Sequence, residues 1–179
     1  MTNSGLTVPH GITFEGAIAL TQSLMAQMDA SAISETDLRQ TVAQLVATEN
    51  GARGFFVAYL TDERSLADQP SAGLIEALRS SPTIVSDLLV KNLAMSAAMA
   101  IAHRRNQNES MAQGSDRVRS RTTELIQQLN LSAIADKLTQ LQTTLATGSG
   151  DYEPFLTRWN YDDEQRQVIH TAVKDALTR

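Results

Sequence analysis

The sequence predicts an all-α fold, a single-domain bundle of about seven or eight helices around one central apolar helix at about 82–105. Three observations predict it. Ala, Leu, Met and Gln outnumber the β-branched residues and aromatics make up only 4% of the chain, a composition that favours helices over sheets. Every long segment carries apolar residues at a 3.6-residue period. No segment repeats at a fixed spacing and no linker is long or polar enough to demand a second domain, so residues 13–179 are read as one helical domain behind a flexible tail, 1–12.

Each element has its own signal. Pro9 and Gly11 break the start, and Thr13 caps a first helix carrying Phe14, Ala17, Ile18, Thr21, Met25 and Met28 along one face. Ser34 caps the second, with Asp37 at its third position and Ile33 placed to staple against Leu38. Asn50-Gly51, a pair that tolerates the left-handed region, is expected to end it. Residues 55–60 have the highest β-propensity, yet a lone strand would leave its backbone unpaired, so a short helix ending near Thr61-Asp62 is expected. Pro70 suits the first turn of a helix with Leu74, Ile75 and Leu78, and Ser81-Pro82 opens the longest helix as an N-cap followed by proline.

In that longest helix residues 93–102 are apolar all round, so they are expected to form the buried centre, and Met99→Asp is expected to unfold the domain. A polar turn at 106–108 leads to a helix weakened at Gly114. Ser132 is read as the next cap, ahead of Ile134, Leu138, Leu141 and Leu145. After a loop at 147–150, the last helix begins near Asp162, Asp163 and Glu164, which suit its positive end, and buries Val168, Ile169, Ala172, Val173 and Leu177.

Composition removes several classes of function. With no cysteine there is no disulfide, zinc–thiolate site or thiol nucleophile, and a reducing, cytoplasmic compartment is expected. Residues 1–11 hold no basic residue ahead of an apolar run, so neither a secretory signal nor a transit peptide is expected. The run 93–102 is about half the length that spans a bilayer, which argues against membrane insertion. A net charge of −5 argues against specific nucleic-acid binding, because phosphates are met with a positive footprint.

Catalytic and metal patterns are missing too. Neither Glu-x-x-His nor His-x-x-x-His occurs, so His10, His103 and His170 are read as structural or solvated, with no metal and no cofactor expected. Gly148-Ser149-Gly150-Asp151 lacks the Lys and the preceding strand of a phosphate loop, and Asp62, Glu63 and Asp68 lack the ligand alternation of a calcium loop.

Two features carry the candidate sites. Arg104, Arg105, Arg117, Arg119 and Arg121 stand against only Glu109 and Asp116. They read either as a solvated hairpin with internal salt bridges or, through Arg104, Arg105, Arg117 and Arg121, as a site for an anion or an acidic partner. Seven of the eight aromatics occupy two windows, Phe55, Phe56 and Tyr59 in one and Tyr152, Phe155, Trp159 and Tyr161 in the other. They are expected to fill core or to meet as one ligand- or partner-binding surface.

The run Gly51-Ala52-Arg53-Gly54, Phe55-Phe56-Val57-Ala58-Tyr59-Leu60 and Thr61-Asp62-Glu63-Arg64-Ser65-Leu66 resembles the turn and recognition helix of TetR-type repressors. The resemblance implies a transcriptional regulator. It departs from that pattern in a longer preceding helix and in offering only Arg53 for a phosphate or base contact. The reading that results is a non-catalytic binding, adaptor or regulatory module acting through a protein partner or self-association. The alternative is a bundle, or an enzyme, that binds a small apolar or anionic molecule.

Overall fold

The computed structural model describes residues 6–178, and among them there are nine α-helices, one short 3-10 helix and no strand. The all-α class is as the composition indicates; the helix count is one above the sequence expectation. The chain divides into two compact units, Met1–Leu88 and Leu89–Arg179, with the boundary inside a single helix.

Unit 1 opens with α1 (Phe14–Asp29), whose first turn is capped by the Thr13 hydroxyl accepting from the Gly16 N–H at 3.0 Å. Ser34 caps α2 (Glu35–Val46) in the same way, accepting from the Asp37 N–H at 3.1 Å. The next helix, α3 (Glu49–Thr61), corrects the sequence reading twice. It begins six residues earlier than the apolar run suggested, and Asn50-Gly51 lies inside its first turn instead of ending α2. Thr48 decides this by accepting from the Gly51 N–H at 3.2 Å. A Cβ on Gly51 would stand 2.0 Å from the Leu45 carbonyl oxygen, so this tight corner requires glycine.

A 3-10 turn (Ser65–Asp68) and α4 (Ala72–Arg79) follow. Where α1 and α3 cross, the Cβ missing from Gly54 leaves room for Ala17 and the Phe14 carbonyl. Phe55 and Tyr59 stack at 5.2 Å, and Phe56 meets Phe55 edge-on at 5.3 Å. The start of α4 is held to α2 by the Gly73 N–H donating to the Glu35 carboxylate at 2.8 Å. Of the segment read as a flexible tail, residues 1–5 lie outside those described. The rest is laid against unit 1: the Thr41 hydroxyl donates to the Leu6 carbonyl at 3.4 Å, and Ile12 is buried.

α5 (Pro82–Arg105) runs through the boundary between the units. It is long and apolar enough by length and composition to cross a membrane, but 56% of its apolar window is buried inside the protein, as in the core helix of a soluble fold. It is not buried all round, and this is a further correction. Leu93, Ala94, Ala97 and Ala98 face inward, whereas Lys91, Met95 and His103 are half-buried and Met99 is 37% exposed.

Unit 2 continues with α6 (Glu109–Leu129), capped by Asn108 and unbroken through Gly114, and α7 (Ser132–Thr147). Leu131 takes the cap position of α7 with no side-chain hydrogen bond, so Ser132 is its first residue and not its cap. Then come α8 (Glu153–Trp159), for which the sequence analysis gives no helix signal, and α9 (Asp163–Leu177), which packs on α6 and α7. With only two turns, α8 is too short to display a helical period. Its signals are local: Pro154 in the first turn and Asn160 in the left-handed region at φ 47°.

Candidate functional site

The arginine-rich segment does not form one cationic face. Arg104 donates to Glu109 at 3.2 Å and to Asp116 at 2.5 Å, and Arg119 lies 3.2 Å from Asp116. Arg105 reaches Asp162 and Glu164 at the start of α9. Arg121 is buried at 2% exposure and engaged within the fold, while Arg117 is exposed. Arg104 is therefore paired inside the α5–α6 hairpin, Arg105 is paired with the start of α9, and Arg121 is turned away from solvent.

The Arg105 clasp orders the entry to α9. Asp162 accepts from the Gln165 N–H at 2.9 Å, and the Gln165 side chain returns to the Asp162 N–H at 3.2 Å, a complete capping box. Gln165 also donates to the Ala98 carbonyl on α5 at 3.2 Å. The Arg105 guanidinium, aided by the Gln165 N–H, holds the Asp162 carboxyl below the usual carboxylate range.

The two aromatic groups lie in different units. Phe55, Phe56 and Tyr59 are at most 1% exposed, so they fill the core of unit 1 and offer no surface that a partner could reach. In unit 2, Phe155 meets both Tyr152 and Tyr161 at 6.3 Å, edge to face. Tyr152, Leu156 and Tyr161 are buried and Phe155 is half-buried. Trp159, one turn beyond Phe155 on the same side of α8, is 45% exposed.

α8 is framed by residues in the left-handed region, Gly148 at φ 75° before it and Asn160 at φ 47° after it. It is tied to α7 through the Tyr152 N–H donating to the Thr144 hydroxyl at 3.4 Å. The helix is too short to bury every aromatic it carries, and Trp159 is the one left outside.

Burial pushes the Tyr161 phenol up to about 12. A phenol that holds its proton more tightly when folded stabilises fully below its ordinary pKa of about 10 and loses that contribution as pH climbs through the folded value. Titration of tyrosinate absorbance, read as wild type minus Tyr161→Phe, is expected to show one phenol ionising near pH 12 together with loss of helicity. Ionisation near 10 with helicity intact would contradict the burial of this ring.

Among the described residues no group of three or more His, Cys, Asp or Glu could hold a metal ion, and His103 and His170 are each half-buried. A half-open groove of about 90 Å³ between α6, α7 and the end of α9 is lined by Ile126, Leu131, Ile134, Leu138 and Leu177. It is well below the roughly 300 Å³ at which pockets for drug-sized ligands begin.

The stretch that resembles a repressor turn and recognition helix has another structure. Residues 51–54 lie within the continuous α3, and Phe55, Phe56, Ala58, Tyr59 and Leu60 are buried. The turn before this helix lies earlier, at residues 47–48, and those five buried side chains are not available to a groove of DNA.

No curated protein and no solved structure matches the chain. A model of the family described as Uncharacterised conserved protein UCP020893 matches residues 13–176, and the chain belongs to that family.

Proposed function

We propose that this chain is a non-catalytic helical binding module, an adaptor or regulator that acts in the cytoplasm through a protein partner, with Trp159 as its anchor. The observation that carries the reading is the 45% exposure of the only tryptophan, at the end of a short helix on which Leu156 is buried and Phe155 half-buried. A half-exposed indole brings a large contact area with only two torsions to freeze, and for that reason tryptophan is enriched where interfaces concentrate their energy. Unit 2 also exposes Met99, Met111 and Leu177, whereas unit 1 exposes Val57. The cysteine-free composition suits a reducing compartment.

The test separates binding from folding. Trp159→Ala is expected to change stability by less than about 1 kcal/mol, as for an exposed site. The same change should weaken retention of a co-purifying partner by about 2 kcal/mol, roughly thirtyfold. Thermal melts and quantitative affinity purification of both proteins measure the two effects. Equal retention of the partner by Trp159→Ala sinks the reading.

A further inference from the structure

We propose that the groove between α6, α7 and the end of α9 is the contact through which two copies of this chain associate. Trp159 does not line this groove, and the proposal does not rest on the module reading.

The lining of the groove decides what it can hold. Ile126, Ile134 and Leu138 are buried, whereas Leu131 is half-buried, Ala135 is exposed and Leu177 is 39% exposed, so part of the aliphatic surface stays in water. No charged residue lines it, although 20% of the chain is charged. Its polar lining is the amides of Gln127 and Asn130, whose side chains make no hydrogen bond among the described residues.

Such a face is complementary to itself. A contact about a two-fold axis sets one patch against the same patch, so a charged group there would meet its own charge. An amide carries both donors and an acceptor and can pair with the same amide of a second copy. Two chains of net charge −5 repel overall, and an uncharged face lets them meet without opposing like charges or stripping water from ions. The groove volume of about 90 Å³ is below the roughly 150 Å³ that accepts benzene. It therefore suits one aliphatic side chain, such as Leu177 supplied by the second copy. Other occupants fit worse. A drug-sized ligand would stay mostly outside, and a charged segment finds no opposite charge in the lining.

Sedimentation velocity of the whole protein tests this between about 5 and about 500 µM. A reversible monomer–dimer equilibrium is expected to reach its midpoint within that range, as for an interface at the small end of the scale. Raising salt from about 0.05 to about 0.5 M is expected to strengthen it, because screening removes the repulsion between the copies and there is no ion pair in the contact to lose.

Ala135→Glu occupies an exposed position near the start of α7, where a carboxylate suits the helix, so the fold should be kept. Two carboxylates then enter the contact, and the midpoint is expected to rise at least about tenfold. Ala135→Lys should do the same alone. An equimolar mixture of the two variants is expected to recover association to within about threefold of wild type, since opposite charges then share the interface. Thermal melts of each variant check that folding is unchanged. A monomer at about 500 µM overturns the proposal and gives the groove to an uncharged segment of a different protein. A dimer that Ala135→Glu leaves intact, or a mixture that fails to recover, overturns it as well.

Discussion

Gly54→Val is expected to destabilise unit 1 by about 3 kcal/mol or more, at the upper end of what overpacking a core costs. A Cβ at Gly54 would stand 2.5 Å from the Ala17 Cβ, 2.6 Å from the Phe14 carbonyl oxygen and 3.0 Å from the Ile18 nitrogen. Two of those atoms are backbone, so no change of rotamer can relieve the clash, and α1 and α3 must separate. Separation would also loosen the packing around Phe55 and Tyr59, which are fully buried on α3. Gly54→Ala should fall between wild type and Gly54→Val.

Ala17→Gly in the Gly54→Ala background should restore only part of the loss, because it removes one methyl and leaves the Phe14 carbonyl in place. Urea denaturation followed by circular dichroism measures all four proteins. A Gly54→Val midpoint close to wild type would mean that the α1–α3 crossing is misplaced.

The second large effect contrasts neighbouring residues of α5. Ala98→Asp is expected to cost roughly 3–5 kcal/mol, the range for an uncompensated buried charge. Ala98 is fully buried and its carbonyl accepts from Gln165, so a carboxylate there has neither water nor a cation to meet. Met99→Asp should stay within about 1 kcal/mol of wild type, because that position is 37% exposed and the new carboxylate can remain hydrated. Composition alone predicts the opposite for Met99, since no residue from 93 to 102 is charged. Unfolding by Met99→Asp, or tolerance of Ala98→Asp, would reverse the inward and outward faces of α5.

Features governed by neighbours within one helical turn were legible from the residues. Thr13 and Ser34 each cap the helix they precede, because a hydroxyl three residues from an unpaired N–H needs nothing else to reach it, and Asp162, read as the start of the last helix, is its cap. The all-α class, the long helix opening at Pro82 and most of the apolar stripes of α7 and α9 follow from periodicity for the same local reason. Leu177, expected to be buried at the end of α9, is instead 39% exposed because the stripe runs past the helices that cover it.

Tertiary structure alone decided the rest. The role of Asn50-Gly51 depended on how closely α3 returns past Leu45, and the open face of α5 depended on which sides its neighbours cover. Arg105 finds its carboxylates at Asp162 and Glu164, 57 and 59 positions away, so no local pattern could show whether that arginine was free. The aromatic windows read alike in sequence, yet Phe55 and Tyr59 are core while Trp159 is surface. Burial is set by which distant helices arrive, and α8 has too few turns to cover everything it carries.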